Sequence, residues 1–117
     1  MNIESKWLED FLALSNTKSF SQAARLRHIT QPAFSRRIKA LEEAVGAELI
    51  DRENLPITLT SSGKIFHITA RNLINQMNNS VSMLEELSSE ETHSVKVAAA
   101  HSLATFLALK LSNFHSK

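Results

Sequence analysis

The sequence predicts a mainly α-helical fold, and three observations support this prediction. Apolar residues recur every three or four positions in several stretches, as they do on the buried face of a helix. Pro32 lies at the start of one such stretch, where proline is compatible with a helix. The β-prone residues between positions 49 and 59 form two short runs around a turn, which predicts a small hairpin among the helices.

Composition limits the class of protein. The 117 residues are 43% hydrophobic and 21% charged, as expected for one globular domain with part of a second. Cysteine is absent, which excludes a disulfide framework and a thiolate zinc site, and no cofactor is expected. No apolar run approaches the roughly 20 residues of a membrane-spanning helix, and no signal peptide is evident. We expect a soluble cytoplasmic protein without membrane contact.

The charges are unevenly distributed, although the net charge is only +1. No Asp or Glu occurs from Phe11 to Leu41, whereas six cations fall within that window: Lys18, Arg25, Arg27, Arg36, Arg37 and Lys39. The basic patch therefore belongs to one structural unit.

Two helices are predicted before residue 30. The first ends between residues 15 and 17, and its apolar residues recur at helical spacing: Ile3, Trp7, Phe11 and Leu14. The second is short and begins at a Ser21 cap. It contains Ala23 and Ala24, whose small side chains allow close packing against a neighbour.

The third predicted helix spans residues 31–45. Thr30 is its expected N-cap, Pro32 lies in the first turn, where a missing amide costs no hydrogen bond, and Gly46 is the expected C-cap. Its buried face comprises Phe34, Ile38, Leu41 and Val45, and its opposite face comprises Pro32, Ser35, Arg36 and Lys39.

A long helix, from about residue 62 to 87, is predicted after the hairpin, whose strands fall at residues 49–52 and 57–59. Such a helix would be about 40 Å long. Its heptad stripe predicts dimerisation through Phe66, Ala70, Leu73, Met77 and Leu84. The polar residues 89–94 predict a hinge. Residues 95–117 predict one strand and one helix, capped by Ser102, which form no domain by themselves.

The predicted elements have the order of a winged helix-turn-helix: helix, short helix, turn, helix and hairpin. The second helix of that motif enters the DNA major groove. In this interpretation Gln31 suits adenine, Arg36 can contact guanine through two hydrogen bonds, and Ser35 can reach a base edge or a phosphate. The other candidates are close backbone approach at Pro32 and contacts from Lys39, Arg25, Arg27 and Arg52. For Arg25, Arg27 and Arg37 taken singly, a merely solvated role fits the sequence equally well.

The stretch SFSQAARLRHITQPAFSRRIKALEEAVGAELIDR, followed by LTSSG, resembles the DNA-binding domain of LysR-type transcriptional regulators over residues 7–87. The resemblance implies a winged helix-turn-helix in residues 1–60, a dimerising linker helix in 61–88, a hinge in 89–94 and the truncated start of an α/β effector-binding domain in 95–117. It places DNA contacts on Gln31, Pro32, Ser35, Arg36 and the wing residue Arg52. The chain departs from the family at the wing position that often carries a second basic residue, which falls on Leu55 or Pro56.

The resemblance also implies partners. These are double-stranded DNA with dyad symmetry, bound by a homodimer that forms tetramers at full length, in the cytoplasm and at the nucleoid. A small molecule or an oxidant would be sensed by a C-terminal domain, and Ser102 matches a position that often helps bind the effector. The segments KWLEDFL, QPAFSRRI, GKIFH and AAAHSL are similar to the hypochlorite-responsive regulators of the family. Because the chain stops at Lys117, we expect a truncated regulator that retains DNA binding and pairing.

Two other classes of function compete with this interpretation. An enzyme is not predicted, because the five histidines are scattered without a metal-ligand pair and no nucleophile lies near an evident base. A winged helix that binds proteins without DNA is the alternative. The acid-free window argues against it, since a surface that contacts only protein does not require such an exclusion.

Overall fold

The computed structural model of the protein describes residues 1–94, with side chains to residue 89. The elements are, in chain order, α1 (Ser5–Thr17), α2 (Phe20–Leu26), α3 (Gln31–Val45), β1 (Ile50–Asp51), β2 (Thr58–Leu59) and α4 (Ser61–Ser94). The chain divides into two compact units, Met1–Asn75 and Gln76–Lys117. The predictions for residues 95–117, including Ser102, lie outside the described residues.

Local caps fix the first two helices. α1 ends where Lys18 adopts a left-handed conformation, with φ of 56°, and donates its N–H to the carbonyl of Leu14 at 2.8 Å. The N-cap of α2 is Ser19, whose hydroxyl accepts the N–H of Gln22 at 3.3 Å. The predicted cap, Ser21, lies within the first turn instead, because Ser19 has the extended backbone that a cap requires.

α3 confirms the predicted bounds and both predicted caps. The Thr30 hydroxyl accepts the N–H of Ala33 at 3.3 Å, and Pro32 occupies the first turn. At the other end, Gly46 has φ of 76° and donates to the carbonyl of Glu42 at 2.9 Å. A left-handed φ strongly favours glycine, so Gly46 ends the helix without the steric cost that a Cβ atom would bring.

The wing is the predicted hairpin, with strands of only two residues. β1 and β2 pair antiparallel, with Ile50 opposite Leu59. Thr60 then joins the hairpin to α4, since its hydroxyl donates to the carbonyl of Glu48 at 2.6 Å and accepts the N–H of Gly63 at 3.0 Å. A Cβ atom on Gly63 would collide with the Leu49 carbonyl, so only glycine allows this close approach.

One hydrophobic core holds the first unit together. Its buried members are Leu8, Phe11, Leu14, Ala23, Ala24, Phe34, Ile38, Leu41, Leu49, Ile50, Ile57 and Ala70. Aromatic edges link the elements, with Phe11 against Phe66 at 5.6 Å and Phe20 against Phe34 at 6.0 Å between ring centroids. Burial of each large side chain contributes about 1.5–3 kcal/mol relative to exposure. The apolar face predicted for α3 lies in this core, with Val45 at its margin.

α4 differs from expectation in two respects. It continues to Ser94, so residues 89–94 are helical where a hinge was expected. That segment is polar but contains no glycine or proline, and Glu90 and Glu91 favour a helix. Within the first unit, Ala70 has no exposed surface and Phe66 packs on Phe11, so these two belong to the core rather than to a free pairing stripe.

Candidate nucleic-acid interface

The polar face of α3 is exposed over its first turns. Phe34, Ile38 and Leu41 point into the core with no exposed surface, which turns the other side of the helix outward. Five predicted site residues are exposed on that side: Gln31, Pro32, Ser35, Arg36 and Lys39. The structure therefore brings together the residues expected to contact bases, on one regular helix.

A groove of about 600 Å³ lies beside this face, between the second half of α3 and the wing. Ser35 and Lys39 line it together with two exposed carboxylates, Glu43 and Glu48. The potential in the groove is therefore mixed, and the polar residues nearest the start of α3 lie farthest from these acids along the helix.

Two of the basic residues are held by a carboxylate on α1. Asp10 is completely buried, and its Oδ2 accepts the Arg37 Nε–H at 2.7 Å. Its Oδ1 accepts Nε–H of Arg27 at 2.7 Å and Nη2–H of Arg37 at 3.1 Å. Asp10, Arg27 and Arg37 thus form a buried clamp that joins α1, the end of α2 and the middle of α3.

Arg27 is further tied to the exposed Glu9, through Nη2 and Oε2 at 3.1 Å. Burial alone would lower the pKa of Arg27, but the hydrogen bond and charge of Asp10, with a smaller part from Glu9, outweigh it and raise the pKa. The Arg27 guanidinium is therefore charged in its contact with Asp10.

The wing arginine is also engaged within the fold. Arg52 donates from Nη2 to Oε1 of Glu42 at 3.0 Å, and its guanidinium lies 5.6 Å from the centre of the Phe20 ring. The other Glu42 oxygen accepts the backbone N–H groups of Leu49 at 2.7 Å and Ile50 at 3.3 Å. The Arg52 side chain is still 45% exposed, so one side of it faces solvent.

The cations of the acid-free window and the wing therefore fall into two groups. Arg27, Arg37 and Arg52 are paired with carboxylates, whereas the others are exposed and have no ion-pair partner among the described side chains: Lys18, Arg25, Arg36 and Lys39. Sequence reasoning missed the partners Asp10 and Glu42. Each stands on an apolar helix face, three residues after Trp7 and four after Ile38, and a carboxylate in such a position signals a buried pair.

No helix within residues 1–94 is both long enough and apolar enough to cross a membrane. The same part of the chain contains no group of three or more His, Asp or Glu residues placed to hold a metal ion.

Comparisons with known proteins bear on this site. Residues 5–64 match the model for bacterial regulatory helix-turn-helix proteins of the lysR family. The chain is 50% identical to the HTH-type transcriptional regulator YjiE of Escherichia coli K12 over 103 residues, which is 88% of this chain and 34% of that protein. It thus spans about a third of the length of YjiE and of a second regulator of the same organism, YnfL.

Two solved structures are similar as well. Vibrio fischeri DarR, determined in complex with DNA, has 63% identity and a TM-score of 0.74 over 76% of this chain and 30% of its own. Full-length HypT of Salmonella typhimurium, described as a hypochlorite-specific LysR-type transcriptional regulator, has 53% identity and a TM-score of 0.67 over 71% of this chain and 29% of its own.

Proposed function

This chain belongs to the lysR family of bacterial regulatory helix-turn-helix proteins, and from that membership we propose that it is a transcriptional regulator that binds double-stranded DNA in a sequence-specific manner as a homodimer. Transcriptional regulators of this kind are not enzymes. Its proposed location is the cytoplasm, at the nucleoid.

The observation that carries the proposal is the exposed face of α3. A helix of this size fits the major groove, and its first turns would face the base edges. Gln31 can form two hydrogen bonds with adenine and Arg36 two with guanine, while Ser35 serves a base edge or a phosphate. Pro32 has no amide hydrogen and keeps the first turn compact, which lets the backbone approach closely.

Phosphate contacts are proposed for the unpaired cations. Lys39 on α3 and Arg25 in the last turn of α2 are exposed and carry charge that no described carboxylate neutralises. Arg27 donates to Asp10 and Arg52 donates to Glu42. We therefore assign these two arginines mainly to holding the motif and the wing in place. Nothing in residues 1–94 favours the alternative of a module that binds only proteins.

Dimerisation is proposed through α4. In the first unit Leu73 is exposed, and in the second unit Met77, Val81, Leu84 and Leu87 are exposed. Apolar residues at helical spacing need a partner helix to leave water. Leu84→Glu should convert a dimer into a monomer in sedimentation equilibrium, whereas Asn79→Glu, at an exposed polar position, should not. An unchanged mass for Leu84→Glu would contradict this assignment.

We further propose the domain scheme of residues 1–60 for DNA binding, 61–88 for pairing, 89–94 as a junction and 95–117 as the start of an effector domain, within a longer regulator. The similarity to HypT supports an oxidant rather than a metabolite as the signal. A full-length protein whose DNA binding responds to small organic acids but not to hypochlorite would contradict that choice.

The DNA-binding proposal is tested by fluorescence anisotropy with promoter-derived and random duplexes over a salt series. The wild type should prefer one duplex, and its affinity should fall steeply with salt through counterion release. Arg36→Ala should remove the preference, at a cost of about 1–3 kcal/mol on the preferred duplex. Arg71→Ala, an exposed arginine on α4, is the matched control and should change little. Binding that is absent at low salt would contradict the proposal.

A further inference from the structure

A second groove, of about 390 Å³, lies where the end of α1, the start of α2, the start of α3 and the wing tip meet. It is lined by Lys18, Ser21 and Gln31 together with the wing-tip residues Leu55 and Pro56. Gln31 is also one of the proposed base contacts. The groove is therefore part of the edge of the surface that would face DNA.

Lys18 is the one cation among the residues that line this groove. Its side chain is exposed and has no ion-pair partner in the described part of the chain. The wing tip beside it, residues 53–57, contains no lysine or arginine, and the nearest wing arginine, Arg52, is held by Glu42. Positive charge on this side of the interface thus depends on Lys18.

The backbone does not explain a lysine at this position. With φ of 56°, residue 18 has the left-handed conformation that glycine adopts most easily, and a lysine is strained there. The side chain also contributes nothing to the core, since it is exposed. A residue that the local conformation disfavours, and that carries an unpaired charge, points to a role outside the folded chain.

We propose that Lys18 anchors a DNA backbone phosphate in this groove, next to the base contacted by Gln31, and supplies the charge that the wing tip lacks. This rests on the proposed DNA-binding function. A lysine ammonium on a flexible stem suits a phosphate as a point charge. The hydroxyl of Ser21, which lies 3.1 Å from that of Ser19, can donate to the same phosphate.

Lys18→Gly is the decisive variant, because it removes the charge and relieves the backbone strain at once. The expected result is a salt slope of log K shallower by about 0.9 per bound chain, and an affinity lower by roughly five- to tenfold at about 0.1 M salt, equally for preferred and random duplexes. Thermal unfolding of Lys18→Gly should occur at the wild-type temperature or higher, so the loss cannot reflect damage to the fold. Lys18→Arg should keep the slope.

Lys6→Gln is the control, since Lys6 lies at the opposite end of α1, about 18 Å along the helix axis, and should leave the slope unchanged. Wild-type binding with the same slope in Lys18→Gly would overturn the role of Lys18 and leave the proposed function intact. Wild-type protein that binds no duplex at low salt would overturn both.

Discussion

Arg36 and Arg37 are neighbours on α3, yet they occupy opposite environments. Arg36 is exposed and has no carboxylate partner among the described side chains, whereas Arg37 makes two hydrogen bonds with the buried Asp10. A step of one residue rotates a helix by about 100°, which is enough to separate a DNA-facing side from a core-facing side. A basic stretch in a sequence is therefore not one surface, because the fold decides which charges remain available.

The same division holds for the pair Glu42 and Glu43. Glu42 is buried and holds the wing through two backbone amides and Arg52, while Glu43 is exposed in the groove beside α3. Each pair therefore provides a matched experiment with identical residues one position apart. Substitution of the residue that makes buried contacts, Arg37 or Glu42, should affect stability, and substitution of its exposed neighbour, Arg36 or Glu43, should affect binding.

The largest effect is expected from Asp10→Ala. This change leaves Arg27 and Arg37 without their shared acceptor, and breaking a buried ion pair from one side costs about 3–5 kcal/mol. Chemical denaturation should show this loss in the free energy of unfolding. Glu9→Ala, which removes only the exposed partner of Arg27, should cost less than about 1 kcal/mol. Equal losses of stability in the two variants would contradict the idea that the buried clamp stabilises the fold more than the exposed ion pair does.

Glu42→Gln should follow, with a loss of about 2 kcal/mol in the free energy of unfolding. The amide cannot accept from the Leu49 and Ile50 amides and from Arg52 as the carboxylate does, and hydrogen bonds to charged groups are worth about 1.5–3 kcal/mol. Glu43→Gln is the matched control for stability and should change it by less than about 0.5 kcal/mol. A stable Glu42→Gln would show that the wing does not depend on this carboxylate.

Lys39→Ala should act on binding alone. Removal of one phosphate contact should weaken all duplexes similarly and reduce the salt slope by about 1, without a change in base preference. Anisotropy with preferred and random duplexes over a salt series measures both quantities. A change in preference, with the slope unaltered, would move Lys39 from the phosphates to the base edges.

The smallest effect is expected from Glu43→Gln on binding. This carboxylate shares the groove with Lys39, so its removal should raise affinity for every duplex, by less than about threefold because exposed charges are well screened. The increase should disappear at high salt. A decrease in affinity would indicate that Glu43 accepts a hydrogen bond from a base instead.

Local signals made α3 predictable to the residue. Thr30, Pro32 and Gly46 act through neighbours within four positions, so the sequence contains the whole interaction. The predicted cap of α2, Ser21, lies two residues late. Ser19 and Ser21 both fit the cap pattern, and only the extended backbone of Ser19 decides between them.

Contacts that are distant in sequence could not be predicted in this way. Asp10 lies 17 and 27 residues from its two arginines. The acid-free window therefore does not reveal that two of its own arginines are neutralised by a carboxylate outside the window. Similarly, the heptad stripe of α4 predicts burial but not what causes it, and Ala70 is buried by its own domain.

The most direct measurement compares Arg36→Ala with Arg37→Ala in two assays, the free energy of unfolding and the affinity for a preferred duplex under conditions where both variants are folded. We predict that Arg36→Ala changes stability by less than about 0.5 kcal/mol and lowers specific affinity by about 1–3 kcal/mol. Arg37→Ala should lower stability by about 2 kcal/mol, since Asp10 keeps Arg27, and should retain base preference. The opposite result would be an Arg37→Ala variant that is fully stable but loses specific binding, together with an Arg36→Ala variant that binds normally. That result would contradict the assignment of Arg36 to DNA and of Arg37 to the fold.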